Sequence, residues 1–261
     1  MKESAFALCL ALICSLLLEG QQALASPKAA STSGKTANQD FCQGYKISQY
    51  HMVTGDHQIT YCARGLRDDY RKSNVTTVAL PPTWQSYTFN RRTLLCYKAT
   101  PTTFKGYLHP QVTFTTGRSV QSIVSTACGK SKKFDLNTTV YQTPANESKQ
   151  YLEAYLKTRA RHGAIKAARY EVTKEIGIPE PVSLLLAETF GILNKSGFAV
   201  EVVYTDASDD LHNYLTTSKL AKSKINMQDF ALPKGLKFVS DINRVFNSAD
   251  SLDAEKYLMD Y

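Results

Sequence analysis

Residues 179–204 read PEPVSLLLAETFGILNKSGFAVEVVY, and two periodicities meet in them. From Pro179 onward, Val182, Leu185, Leu186, Thr189, Phe190 and Leu193 fall on one face at helical spacing. Proline suits the first turn of a helix, where its missing N–H would have no partner anyway. The pattern stops near Asn194-Lys195-Ser196-Gly197, with Gly197 expected as a left-handed terminator. Phe198 to Tyr204, FAVEVVY, then reads as a strand of β-branched and aromatic residues. A helix with one apolar face, set beside such a strand, asks for a sheet to pack against.

Strand texture continues in both directions. Asp206 to Asp210 makes a turn, and Leu211 to Ile225 returns with Thr, Ser and Lys alternating against Leu and Ile. Phe230 precedes Pro233-Lys234-Gly235, and residues 240–247 can close the chain with a short helix. Upstream, Ala164 to Glu175 reads as a strand carrying Tyr170 and Val172. Residues 146–161 place Tyr151, Leu152, Tyr155 and Leu156 at helical spacing behind Asn146 and Ser148, although a strand remains an alternative there. Nearer the start, the alternation around Tyr45, Ile47 and Gln49, the turn Thr54-Gly55-Asp56-His57 and the run Gln58–Ala63 make a hairpin. Val75–Leu80 adds a strand. Trp84–Phe89 and Leu94–Lys98, split by Asn90-Arg91-Arg92, make a second hairpin. Val112–Thr115, Val120–Thr126 and Phe134–Gln142 continue the strand texture, with a short helix as the alternative for 120–127. The predicted class is α+β, one curved antiparallel sheet in a single domain over 41–250.

The first residues have another purpose. A short charged start, an apolar run from Ala5 to Leu18 and Ala23-Leu24-Ala25 are the parts of a secretory signal, with cleavage expected after Ala25. The run is short of the roughly 20 residues that span a bilayer. Leu8 and Ile13, before Cys9 and Cys14, do not suit lipoprotein processing. A secreted or periplasmic protein that does not span the membrane is expected. Residues 26–40 are small and polar and read as a disordered leader, and 251–261 as a flexible tail. Without Lys2, Glu3 and Glu19 the chain keeps 30 basic against 21 acidic side chains, a charge of +9. That balance suits an anionic envelope surface. The basic residues are scattered, without a helix-long stripe or a nucleic-acid signature, so nucleic acid is not an expected partner.

Four cysteines follow the signal: Cys42, Cys62, Cys96 and Cys128. In an exported chain an even count implies two disulfides, with three connectivities open. The pairing expected is Cys42 with Cys128 and Cys62 with Cys96. Their spacing holds no C-x-x-C pair, so no structural zinc site is expected. Neither H-x-H nor H-E-x-x-H, nor a nucleophile elbow, phosphate loop or dinucleotide fingerprint is present. The chain is read as non-enzymatic and without a cofactor. Asp206, Asp209 and Asp210 lack the pattern of a calcium loop and read as a solvated turn. A hydrolase assembled from distant residues, around His109 or His162, is the third reading.

The strand with Tyr170-Glu171-Val172, the Pro-started helix, Gly197, the following strands and Phe230-Ala231-Leu232-Pro233-Lys234-Gly235-Leu236 together resemble the closing half of the LolA/LolB-like envelope proteins. Arg67-Asp68-Asp69, Pro82-Thr83-Trp84 and Tyr87-Thr88-Phe89-Asn90 are similar to the opening strands of such proteins. The resemblance covers about residues 45–240, by pattern rather than by a diagnostic motif. It implies a half-barrel with helices over its concave face and an apolar cavity, which in the family's carriers shelters lipid chains. The cysteines and residues 100–160 depart from the family pattern. The expected ligand is a lipid or another apolar molecule, with Trp84, Tyr87, Phe89, Leu95, Phe198, Val200 and Val202 as cavity candidates. The same side chains could instead fill a core, and the protein would then be a surface-interaction protein without a ligand. The likeness favours a bacterial source, in which the Asn-x-Ser/Thr sequons at Asn74, Asn137, Asn146 and Asn194 carry no meaning.

Overall fold

The computed structural model describes residues 40–107, 120–157 and 165–247. Their alternating stretches build one sheet of twelve strands from two meanders. In the first, β1 (Phe41–His51), β2 (Gly55–Cys62), β3 (Gly65–Tyr70), β4 (Val75–Leu80), β5 (Gln85–Asn90) and β6 (Leu95–Ala99) each pair antiparallel with the next. The second comprises β7 (Thr126–Lys133), β8 (Leu136–Gln142), β9 (Ile165–Thr173), β10 (Phe198–Asp206) and β11 (Leu211–Asn226), again antiparallel throughout. Helix α1 (Ala145–Lys157) lies between β8 and β9 in the chain, and α2 (Glu180–Phe190) between β9 and β10. The meanders join where β1 pairs antiparallel with β11, from Phe41 opposite Asn226 to His51 opposite Leu215. The three-residue β12 (Lys237–Val239) lies parallel to β6, and α3 (Asn243–Phe246) follows. The sheet is curved and unclosed, ending at β12 and β7. The expected α+β half-barrel is the observed architecture.

Period-two alternation sorts the side chains between two faces. On the inner, helix-covered face, Ile47, Ile59, Tyr170, Val172, Phe198, Val200 and Val202 pack with Leu185, Leu186 and Phe190 of α2 in one core. A smaller cluster on the outer face gathers Cys62, Val78, Phe89, Cys96 and Ile225 with Phe230 from the 3-10 turn Met227–Phe230. Gly65 permits that turn to close down. A Cβ there would stand 2.8 Å from the Phe230 ring.

Several expectations are corrected by packing. Helix α2 ends at Gly191, in the left-handed region at φ 58°, and not at Gly197. The Gly191 N–H bonds back to the carbonyls of Ala187 and Glu188, which closes the helix. Gly197 serves close approach instead, since a Cβ would lie 2.7 Å from Val172 Cγ1 and 2.9 Å from the Thr173 oxygen. Residues 120–126 are not a strand: Val120–Ser122 is a 3-10 turn, and strand begins only at Thr126. Strand β3 was hidden by its charges. Its Arg67 forks onto Asp69 at 2.7 and 2.9 Å on one face, while Asp68 is buried on the other. Trp84 is the last turn residue before β5, at φ 53°, with its ring buried near Tyr61. Residues 1–39, Val112–Thr115, His109, His162 and the tail from 248 lie outside the described residues.

The cysteine pairing is also corrected. No sulfur–sulfur bond joins any of the four in the structure. Strands β11, β10, β9 and β8 stand between Cys42 on β1 and Cys128 on β7, and β3, β4 and β5 stand between Cys62 on β2 and Cys96 on β6. A disulfide needs Cα atoms within about 7 Å, so neither expected bridge spans these separations.

Candidate functional site

The alternation of β5 divides the seven cavity candidates. Ser86, Thr88 and Asn90 face inward, where Asn90 Nδ2 donates to the Val245 carbonyl of α3. Tyr87 and Phe89 therefore face outward: Phe89 is buried in the outer cluster, and Tyr87 lies under Lys98 Nζ at 5.6 Å. Trp84, Phe198, Val200 and Val202 are core residues of the inner face, with Leu95 half-buried against them. The structure thus brings four of the seven into one core and leaves Tyr87 and Phe89 on the other side of the sheet.

Among the described residues that inner core is closely packed. Beneath α2, Gln49, Ser183, Phe190, Lys195 and Phe198 help line a void of about 20 Å³, the room for a single water. A second, open groove of about 490 Å³ runs beside α1, lined mainly by polar side chains such as Gln142, Thr143, Ser148, Lys149 and Lys166. Leu152 is its one large apolar side chain.

The inner face also holds a polar chain that sequence reading missed, because its members come from three neighbouring strands and a turn. Asp68 on β3 lies opposite Ile59, two residues from His57 on β2, and the Asp68 carboxylate accepts from His57 Nδ1 at 3.0 and 3.1 Å. His57 Nε2 lies 2.6 Å from Thr54 Oγ1 in the β1–β2 turn. Thr54 Oγ1 is in turn 3.0 Å from Nδ1 of His51, the last residue of β1. The backbone N–H groups of Val53 and Thr54 both donate to His51 Nδ1, so the ring proton of neutral His51 is on Nε2. Thr54 has one proton for two imidazole nitrogens. Donation to His57 Nε2 leaves that ring neutral, whereas donation to His51 Nδ1 requires a doubly protonated His57 balanced by Asp68. Burial, then the neighbouring His57, pushes the His51 pKa down to about 3, against a smaller opposing effect of the Phe190 carbonyl. Burial and the Asp68 charge push the Tyr70 hydroxyl up, although it bonds to Thr189 and Thr77.

Carboxylate, imidazole and hydroxyl in this order can pass a proton, as nucleophilic catalysis requires. Catalysis also needs space for a substrate beside the hydroxyl. Both histidines and Asp68 are fully enclosed, with Phe190 against both rings, and neither void described above is lined by Thr54. This geometry serves as an internal clamp, fastening the first hairpin to β3 and α2. At the acidic turn, Asp206 Oδ1 accepts from the N–H groups of Ser208 and Asp210, and Oδ2 lies 3.0 Å from His212 Nε2. The His212 hydrogen bond leads the effects that hold the Asp206 carboxyl below its usual range. Asp209 pairs with Lys166. These oxygens are spent within the protein.

The remaining feature is the β7 edge, TACGKSKK. It pairs only with β8, and its other side meets no strand among the described residues. Lys130 and Lys132 are exposed along it. Lys133 instead turns onto the outer face, where it meets Glu201 at 2.6 Å and Glu171 at 3.6 Å, both also paired with Arg169. Cys128 sits at a register shift between Ala127 and Gly129. Among the described residues no helix is long and apolar enough to cross a membrane, and no cluster of metal-ligating side chains is present.

No family model matches the chain, and no curated protein does. Solved structures that align with the chain include an uncharacterized conserved protein from Thermus thermophilus, at 8% identity and a TM-score of 0.37, covering 77% of this chain and 90% of that one. MucB in complex with MucA(peri) aligns at 11% identity and a TM-score of 0.32 over 78% of this chain. The chain spans 58% of that MucB chain's length. The MucA/MucB complex of Pseudomonas aeruginosa gives 12% and 0.29. A domain described as a putative outer membrane lipoprotein-sorting protein, from Vibrio parahaemolyticus, aligns at 7% identity and a TM-score of 0.21, covering 81% of this chain and 90% of its own. All these scores fall below one half, and none bears on what this chain binds.

Proposed function

We propose that this chain is an exported, non-catalytic binding protein that takes an acidic, extended segment of a partner protein along the open edge of β7. The observation that carries the reading is that edge: backbone that meets no further strand among the described residues, beside exposed Lys130 and Lys132, on a sheet whose inner face carries a closely packed core. Strand addition draws affinity from main-chain hydrogen bonds and selectivity from side chains along the edge. Edge lysines oppose indiscriminate pairing with other strands. An acidic segment turns that repulsion into attraction, and the surplus of basic residues over the whole chain steers it in. A lipid held inside, as the family resemblance implies, would require α2 to leave its core, since the void beneath it holds one water.

The test is binding of the exported protein to an acidic, β-prone peptide, with its lysine-substituted counterpart as control. Lys130→Glu with Lys132→Glu is expected to weaken the acidic peptide about tenfold or more at low salt and to leave the fold unchanged by circular dichroism. Equal binding of both peptides, or of both protein forms, would exclude the edge. Native mass spectrometry checks the interior. A lipid mass that disappears on organic extraction would return the reading to the carrier.

A further inference from the structure

We infer that Cys42 and Cys62 are the partners of a disulfide that staples the first strand of the sheet to the second. Strand register makes the case. Gly44 lies directly opposite Cys62, and Cys42 is two residues along β1, on the same outer face. Both sulfurs belong to the outer apolar cluster, and the Cys42 thiol is within hydrogen-bonding reach of the Cys62 thiol. Gly44 leaves the path between them clear: a Cβ there would lie 2.8 Å from Cys62 Cβ and 2.1 Å from the Tyr61 oxygen. Among the described residues the other two cysteines have no such neighbour. Cys96 is buried on β6 with its Sγ toward the Tyr97 carbonyl, and exposed Cys128 on β7 bonds to the Val140 carbonyl at 3.5 Å.

The chemistry is thiol–disulfide exchange with a disulfide oxidant such as oxidised glutathione or an oxidised dithiol protein. Half-buried Cys42 is the thiol such an oxidant reaches. Its thiolate attacks the oxidant, breaking that S–S bond, releasing one thiolate and leaving a mixed disulfide. The Cys62 sulfur then attacks the Cys42 sulfur and releases the second thiolate. Two protons leave the pair and two electrons end on the oxidant. The bridge fastens the strand that follows the N-terminal segment and that also forms the seam with β11.

Peptide mapping of the secreted protein, and of the full chain refolded with oxidised glutathione, tests this after alkylation of remaining thiols. The expected map joins the Cys42 peptide to the Cys62 peptide and finds Cys96 and Cys128 alkylated, Cys128 without unfolding and Cys96 only after it. Reducing the bridge is expected to lower Tm by about 5 °C or more, as loop closure predicts. That shift vanishes in Cys42→Ser and persists in Cys128→Ser. A Cys42–Cys128 or Cys62–Cys96 link, four alkylated thiols after oxidation, or a redox-dependent Tm in Cys42→Ser would each overturn the assignment.

Discussion

His51 shows how much one side chain can govern. It is fully buried between Phe190 and Tyr214, accepts two backbone N–H groups and stays neutral down to about pH 3. The unfolded chain titrates the same residue near 6.5, so below that pH the unfolded state binds a proton that the folded state refuses. The contribution is whole above pH 6.5 and drains as pH falls toward 3, by about 1.4 kcal/mol per pH unit. Urea unfolding at a series of pH values reads it. His51→Asn, which keeps an acceptor for the turn, is expected to flatten the slope by that amount, and an unchanged slope would mean that other groups carry the acid sensitivity. Asp69 adds a smaller effect of the same sign: burial alone would raise its carboxyl, but the Arg67 and Thr76 hydrogen bonds and the Arg67 and Arg91 charges outweigh it and hold it low.

At the scale of elements, the α2–β10 connection separates two uses of glycine. Gly191 is required for its left-handed backbone, and Gly197 for the nearness of Val172 and Thr173. Gly191→Ala is expected to cost about 1–2 kcal/mol, and Gly191→Asn less, because asparagine tolerates that conformation. Gly197→Ala is expected to cost about 1–3 kcal/mol through overpacking, with Gly197→Asn no better. Denaturant midpoints of the four variants distinguish the cases; rescue by asparagine at 197 would reverse the assignment. The sequence announced α2 and β10 by periodicity but not which glycine ends the helix, because that depends on the strand across the gap. Strand β7 was obscured for a related reason. With only β8 beside it among the described residues, most of its side chains are exposed, so it carries little hydrophobic alternation.

Across the whole molecule, two meanders share one seam, and that arrangement sets the order of opening. Strands β1 and β11 lie inside the sheet, with at least four strands on either side of each, while β7 and β12 are its edges among the described residues. Native-state hydrogen exchange is expected to release β7 and β12 amides first and those of the β1–β11 seam last. A seam that exchanges before the interior of either meander would show the two halves opening as separate units.

What the residues determined by themselves is local: hairpins from alternation and turn chemistry, and α2 from its apolar face. Those signals depend on neighbours within about a turn or a hairpin, which the sequence displays directly. Only the tertiary structure decided which thiols lie close, that Asp68, His57, Thr54 and His51 form one chain, and which side chains of the described residues pack on the inner face. Each of those depends on strand order and on the face a side chain takes. A one-residue change of register sends a side chain to the opposite face, and nothing in the linear spacing reports it.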